Sequence, residues 1–391
     1  MKTAWLAGLI GLGIATAVGA ADWASVESKA KGQTVYFNAW GGGESINQYI
    51  DWAAQQTQER YGVTLKHVKI TDAAEVVKRI KTELDAGRST DGTVDLMWVN
   101  GENFKALKQA NALYGNWVEA LPNWQYVDLT KPVRQDFSES TDNLEAPWGM
   151  AQLTFIADKA KVAEPPRSAA ELLAFAKTNP GRVTYPKPPA FHGTTFLKQL
   201  LTELTPDPAV LQQPVDSAQW AAHTQPLWDY LDELHPVTWR EGKNFPATQA
   251  DMIPLLADGE LLLALTFNPN EAANLIESGQ LPDTAYSFGF TKGTIGNVHF
   301  LAIPANAKAK EGAQVVANFL LSPEAQARKA DVKIWGDPTV VDVTKLTTEQ
   351  QATMNNKAKG ALAETVPTLP EPHASWVEAL ETEWLKRYGS Q

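Results

Sequence analysis

Short β-rich runs alternate with amphipathic helical runs in the first part of the chain, and this alternation limits most strongly the folds available to it. Residues 34–38, 63–70 and 94–99 are apolar and rich in β-branched side chains. The stretch after each run carries apolar residues at helical spacing. Repeated β–α order of this kind predicts an α/β protein whose strands run parallel in an open, doubly wound sheet.

Polar, glycine-containing loops follow the first and third of these runs, at residues 40–45 and 100–103. The carboxyl ends of parallel strands meet at one sheet edge, where α/β proteins bind ligands. Glycine lets backbone N–H groups approach a ligand, although a tight turn without a ligand needs glycine as well. We therefore predict ligand contacts at Trp40, Gly42, Gly43, Glu44, Ser45, Asn100, Gly101 and Glu102. The alternative for the two glutamates is a solvated surface charge or a helix-cap partner.

Length, charge and cysteine content narrow the class of protein. A chain of 391 residues is too long for one compact core and suits two domains. The net charge of −11 argues against nucleic acid or anionic lipid as a partner. The absence of cysteine excludes disulfides, thiol catalysis and cysteine-ligated metals. The six histidines lack the close pairing of a metal-ligand motif, so we predict neither a cofactor nor a metal.

The amino terminus has the pattern of an export signal. Lys2 precedes an uncharged, mostly apolar run over residues 5–18, and small residues follow at 18–20. This pattern predicts a signal peptide over residues 1–20 that is cleaved near Ala20. The run is too short for a membrane span, and a chain without cysteine has no site for a lipobox lipid. We therefore expect a periplasmic protein without a lipid anchor.

Four segments further along the chain carry a family resemblance. They are an APWGMAQLTFIADK run from Ala146, a PPRSAAEL run from Pro165, a DGEL run from Asp258 that leads to Asn268, and ANFLLSPEAQ from Ala317. Together they resemble the bacterial extracellular solute-binding proteins of the maltose, iron and thiamine type, most closely their YnjB-type group. Asp158 departs from the family pattern, which usually has Asn before the lysine.

The resemblance implies a two-lobed periplasmic-binding-protein fold of type II. Each lobe would be a mostly parallel sheet flanked by helices, and crossing strands would form the hinge. The implied ranges are 21–146 plus 291–329 for the first lobe, 152–290 plus 330–391 for the second, and a hinge near 147–151 and 286–291. Such a protein is the monomeric substrate-binding component of an ABC importer. It captures a small polar solute between its lobes and delivers it to an inner-membrane permease by closing and opening.

Further site residues are expected where the remaining loops would face this cleft. Trp148 would lie at the cleft floor, and the resemblance places Trp376 at the position of a ligand-stacking aromatic in the sugar binders. Strand ends and helix starts of the second lobe add Tyr185, Phe191, His192, Thr194, Phe267, Asn268, Asn270 and Trp335. The alternative for any single tryptophan is core packing.

The ligand class stays open at this stage. Carboxylates with aromatic rings suit an organic cation such as thiamine or a polyamine, whereas aromatic rings with asparagines suit a sugar. Helix N-termini from both lobes would suit an oxyanion. A periplasmic carbohydrate-active enzyme, which needs two carboxylates across a cleft, and a chaperone are the competing classes. No G-x-S-x-G motif is present, and we predict a protein that is not an enzyme.

Overall fold

A computed structural model describes residues 15–354, 358–363 and 366–389. The strands in this part of the chain are β1 (Thr34–Trp40), β2 (Thr64–Ile70), β3 (Leu96–Val99), β4 (Gln135–Asp136), β5 (Glu139–Ser140), β6 (Glu145–Gln152), β7 (Thr154–Asp158), β8 (Leu263–Thr266), β9 (Ala285–Phe288), β10 (Thr294–Ala302) and β11 (Thr368–Leu369).

The α-helices are α1 (Ala15–Ala30), α2 (Glu44–Tyr61), α3 (Ala73–Asp85), α4 (Gly101–Gln109), α5 (Ala169–Thr178), α6 (Phe191–Leu204), α7 (Trp220–Leu234), α8 (Met252–Ala257), α9 (Glu271–Glu277), α10 (Lys310–Leu320), α11 (Pro323–Ala330), α12 (Thr348–Met354) and α13 (Ser375–Tyr388). Short 3₁₀ segments lie at Pro122–Tyr126, Pro208–Gln212, His235–Val237, Trp239–Gly242 and Val343–Lys345.

The first lobe is built on a mixed sheet in the order β11-β10-β3-β1-β2, with β6 paired to β10. Strand β1 runs parallel to both β2 and β3, as the β–α alternation predicts. Strand β10 runs antiparallel to β3 and β6. Because β1 and β3 are parallel neighbours, the polar loops that follow them lie at the same sheet edge.

The second lobe has a three-stranded sheet in which β7 lies between β8 and β9 and runs antiparallel to both. This corrects the mostly parallel sheet that we expected in this lobe. The strand directions follow from how the chain crosses between the two lobes. Strand β7 continues directly from β6 and runs away from the first lobe, whereas β9 leads back to the first lobe through β10 and must run the opposite way.

Each sheet supports its own hydrophobic core. The first core contains Phe37 and Trp148, and the second contains Phe155 and Tyr185. Residues 335–346 contribute Trp335, Val340, Val341 and Leu346 to the first core, so the expected second-lobe range of 330–391 is corrected here. These residues lie against the first core because Gln326 of α11 anchors them. Its side-chain oxygen accepts hydrogen bonds from the Thr339 hydroxyl and the Val340 N–H. The other lobe boundaries and the hinge positions stay predictions.

Helix starts agree with the sequence signals in part. The side chain of Asp72 accepts a hydrogen bond from the Ala74 N–H and caps α3, as its position predicts. A capping box of Ser45 and Gln48, which the spacing suggests, does not form. Helix α2 begins at Glu44, two residues before the start that this box implies, and the Gln48 amide donates to the Glu44 carboxylate instead.

The amino-terminal prediction lies mainly outside the described residues, which begin at Ala15. The described chain opens with α1, which packs on α10, and the expected cleavage point near Ala20 falls within α1. Among the described residues, no helix has the length and apolar character needed to cross a membrane.

Candidate functional site

Helices from both lobes meet beside the first sheet's polar loops. Helix α4 of the first lobe contacts α13, whose tryptophans pack in the second core. Glu381 on α13 lies close enough to Glu102 on α4, and to Asp72 at the start of α3, for their charges to interact. Lys198 on α6 interacts electrostatically with both glutamates. The candidate site therefore lies where the two lobes meet, with an acidic side chain from each lobe.

Glu102 occupies the first turn of α4 and is half-buried. Its carboxylate accepts a hydrogen bond of 3.0 Å from the Asn103 amide. Burial raises the pKa of Glu102, and Lys198 opposes that rise only in part. Asn100 precedes the helix without a side-chain cap, and the Gly101 N–H donates to the buried Asp136 carboxylate at 2.7 Å. The predicted loop is thus present and orients Glu102.

Glu381 is the acidic residue of the second lobe, and the sequence reasoning missed it. It is half-buried, and the Thr194 hydroxyl donates a hydrogen bond of 2.6 Å to it. Burial raises its pKa from 4.5 to about 7. A signal was available, because Glu381 lies four residues after Val377 and three before Trp384, both buried on the inner face of α13.

Aromatic side chains flank the start of α6. Phe191 remains 38% exposed, and its ring packs edge-on against Phe267 at 5.2 Å and against His192 at 5.5 Å. Burial lowers the pKa of His192 to about 4, so the imidazole is neutral at physiological pH. Of the residues predicted here, Thr194 is wholly engaged with Glu381, and Phe191 offers the most exposed surface to a ligand.

Two predicted asparagines of the second lobe lie beside residues 335–346, the segment that packs in the first core. The Asn270 side-chain amide donates to the Gly336 backbone carbonyl at 2.6 Å, and the Asn268 side-chain oxygen Oδ1 accepts from the Asn270 backbone N–H at 2.9 Å. Asn270 occupies the N-cap position of α9, but its side chain makes no cap hydrogen bond there because it is directed to the other segment. In this conformation both side chains bond to protein, and their predicted ligand role stays untested.

Four predicted ligand residues lie inside the cores, where no ligand atom reaches them in this conformation: Trp148, Tyr185, Trp335 and Trp376. Trp148 packs edge-on against Trp98 and Trp335, with ring centroids 5.0 and 5.3 Å apart. The Tyr185 hydroxyl bonds to His235 at 2.7 Å, and Trp376 donates to the Gln213 carbonyl at 2.9 Å. In this conformation the four side chains pack in the cores, as the alternative for a single tryptophan expects, and their ligand role stays a prediction.

The loop after β1 keeps a surface position. Trp40 is half-buried, and its ring lies against Gly42, where a side chain would collide with it. Gly43 and Ser45 flank the start of α2. Glu44 is exposed and bonds only to Gln48, at 3.0 Å, which agrees with the surface-charge alternative for this residue. Among the described residues, no cluster of three or more acidic, histidine or cysteine side chains could hold a metal ion.

Comparisons with known proteins identify the family and the fold. Residues 52–365 match the family model described as bacterial extracellular solute-binding protein. The chain is 56% identical to Protein YnjB of Escherichia coli (strain K12), over 99% of this chain and 98% of that protein, which confirms the YnjB-type resemblance.

Solved structures agree on the fold. One is a putative spermidine/putrescine ABC transporter from Listeria monocytogenes, with a TM-score of 0.65 and 18% identity, covering 91% of this chain and 98% of that one. Another is a periplasmic thiamin binding protein, with a TM-score of 0.63 and 18% identity, covering 91% and 95%. The two-lobed type II fold is thus confirmed. This chain belongs to the bacterial extracellular solute-binding proteins.

Proposed function

We propose that the chain is the substrate-binding component of an ABC importer and that it captures a small organic cation between its lobes. The observation that carries the ligand class is the pair Glu102 and Glu381. Each lobe contributes one half-buried carboxylate, and in the described part of the chain neither forms an ion pair. An uncompensated carboxylate in a partly desolvated site is costly, and a ligand cation relieves that cost.

The charges around this pair also favour a cation. Lys198 does not neutralise the glutamates, because its ammonium group binds Glu371 at 2.6 Å and both of these side chains are about 2% exposed. Asp136 adds a buried carboxyl group whose charge interacts with Glu102. Phe191 supplies a partly exposed ring of the kind that binds ammonium and heteroaromatic cations, and the Lys198 ammonium already lies 5.9 Å from its centroid. A sugar would offer these carboxylates hydroxyl donors but no opposite charge, and an oxyanion would add a like charge.

The position of the two carboxylates gives the transport mechanism. A cation that contacts both lobes binds the closed state more tightly than the open state and shifts the population toward closure. The closed protein then docks on an inner-membrane permease. Two structural neighbours, a putative spermidine/putrescine ABC transporter and a periplasmic thiamin binding protein, support an organic cation here. Binding without turnover, action as a monomer, and export to the periplasm after signal cleavage near Ala20 belong to the same proposal.

A thermal-shift screen tests the ligand class directly. The purified protein is heated with spermidine, putrescine, thiamine, glucose or fructose 6-phosphate, each in large excess. A ligand at a hundredfold excess over its Kd stabilises the folded protein by about 2.7 kcal/mol. We expect one of the cations to raise Tm and to be recovered unaltered by mass spectrometry. A rise with the sugar or the sugar phosphate alone would overturn the cation proposal, and a chemically altered compound would identify an enzyme.

Paired variants then test the site. Glu102→Gln and Glu381→Gln keep the shape of the side chain and remove its charge, and each should weaken cation binding about tenfold or more at pH 8. Glu378→Gln is the matched control, because Glu378 lies on the same helix as Glu381 and is exposed. Isothermal titration gives Kd for each variant. Unchanged Kd in both site variants would exclude the carboxylate pair as the cation site.

A further inference from the structure

A small hairpin extends from the first lobe to the second. Strands β4 and β5 form its two arms, and Phe137 and Ser138 form the turn between them. Both turn residues have positive φ, 44° and 64°, a region that side chains other than glycine rarely adopt. A two-residue turn that joins antiparallel strands requires positive φ at both central positions, so the hairpin itself accounts for this conformation. The contacts of Phe137 and Ser138 show what the turn holds.

Phe137 packs against the carboxyl-terminal segment of the second lobe. Its buried side chain forms a small apolar cluster with Ala374 and Val377, apart from the two main cores. Its carbonyl accepts a hydrogen bond of 3.1 Å from the Ala374 N–H. The ammonium group of Lys198 lies 4.3 Å from the ring centroid, within cation–π range.

Polar contacts on the other side of the turn reach the same lobe. The Ser138 hydroxyl donates to Gln212 at 2.8 Å, and it lies 3.2 Å from the Glu371 carbonyl oxygen. The Glu139 carboxylate lies 3.1 Å from the His373 imidazole. These bonds are non-covalent and are separate from the strands that cross between the lobes, so they can break while the hinge stays intact.

The same hairpin also contacts the start of α4, which carries Glu102 of the candidate site. The Asp136 carboxylate accepts the Gly101 N–H at 2.7 Å. The Phe137 ring fills the space that a side chain at Gly101 would need. Glu102 is the next residue in the chain. One short element thus contacts the helix that carries a site carboxylate and the second-lobe segments around Lys198 and Glu371.

We propose that the 135–140 hairpin is a latch that holds the two lobes together and whose release sets the open fraction of the empty protein. The inference rests on the proposed function, because a latch has meaning only in a protein that opens and closes. The tight turn suits this role, since it places Phe137 and Ser138 at the tip of the hairpin, where both contact the other lobe.

Distance measurements between spin labels test the latch. The chain contains no cysteine, so Asp51→Cys and Lys159→Cys introduce the only labelling sites, both exposed and one on each lobe. In the ligand-free protein we expect Phe137→Ala at least to double the population at the longer interlobe distance. Tyr114→Ala is the matched control, because its ring also lies near a lysine, Lys310 at 5.7 Å, but within the first lobe.

A milder variant guards against loss of folding. Ser138→Ala removes the hydroxyl contacts and should shift the distances in the same direction by a smaller amount. If folded Phe137→Ala and Ser138→Ala proteins both keep the wild-type distance distribution, the latch is wrong; if only Ser138→Ala folds, its result decides. The measurement needs no ligand. A protein that opens as expected but binds no cation would contradict the proposed function and leave the latch in place.

Discussion

At the scale of single residues, Glu381 illustrates how the surroundings of one carboxyl group affect stability. Burial raises its pKa from 4.5 to about 7. Between these values the unfolded chain loses the proton while the folded protein keeps it. The free energy of unfolding therefore falls as pH rises from about 4.5 to 7, and stays lowered above that range.

Replacing this group should stabilise the empty protein. We expect Glu381→Gln to unfold with a free energy about 2 kcal/mol higher than wild type at pH 8, after allowance for its partial exposure, and with little difference near pH 4. The Gln amide oxygen still accepts the Thr194 hydrogen bond. Urea unfolding at the two pH values measures the difference, with the exposed Glu378→Gln as control. A variant that is less stable than wild type at pH 8 would contradict this account of the site.

At the scale of elements, the crossing between the lobes depends on one glycine. Gly149 on β6 pairs with His299 on β10. A methyl group at this position would lie 2.6 Å from the ammonium of Lys329, which forms an ion pair with Asp337. Burial alone would raise the pKa of Asp337, but the adjacent His299 and Lys329 hold it below its usual value. This packed ionic group therefore has no room for a side chain at Gly149.

We accordingly predict that Gly149→Ala destabilises the protein by about 2 kcal/mol through overpacking. Gly115→Ala is the matched control, because an added methyl there meets only a terminal methyl group of Leu144, at 3.1 Å. Chemical denaturation of both variants gives the comparison. Equal stabilities would mean that the ionic group moves aside at little cost, and that the crossing is less tightly packed than its geometry indicates.

Elements also show how far the sequence could predict this molecule. The β1–α2–β2–α3–β3 order was predictable because local periodicity determines it, and the parallel pairing of β1 and β3 brings the two loops together as expected. The antiparallel arrangement of the second sheet was not predictable, since the direction of β7 depends on how the chain crosses between the lobes. Burial of Trp148 and Trp376 could not be distinguished from cleft exposure, because aromatic rings suit both places. Glu381 was missed because it reaches the site from the carboxyl-terminal helix.

At the scale of the whole molecule, the proposed function links ligand capture, closure and protonation. A cation between the lobes favours ionised carboxylates, whereas the empty site favours a protonated Glu381 below about pH 7. Binding of the cation therefore competes with protonation of Glu381. As pH falls from 8 to 5.5, a proton must leave each time a cation binds, so the affinity for the cation should fall.

We expect Kd for the cation identified by the thermal-shift screen to rise about tenfold or more over this range, approaching tenfold per pH unit for one linked proton. Titration in buffers of different ionisation enthalpy counts the protons released. In Glu381→Gln the pH dependence should flatten, and at pH 5.5 the variant should bind about as well as wild type, since Glu381 is then neutral in both. A wild-type Kd that is constant from pH 8 to 5.5 would show that the cation does not bind against Glu381, and that closure uses other contacts.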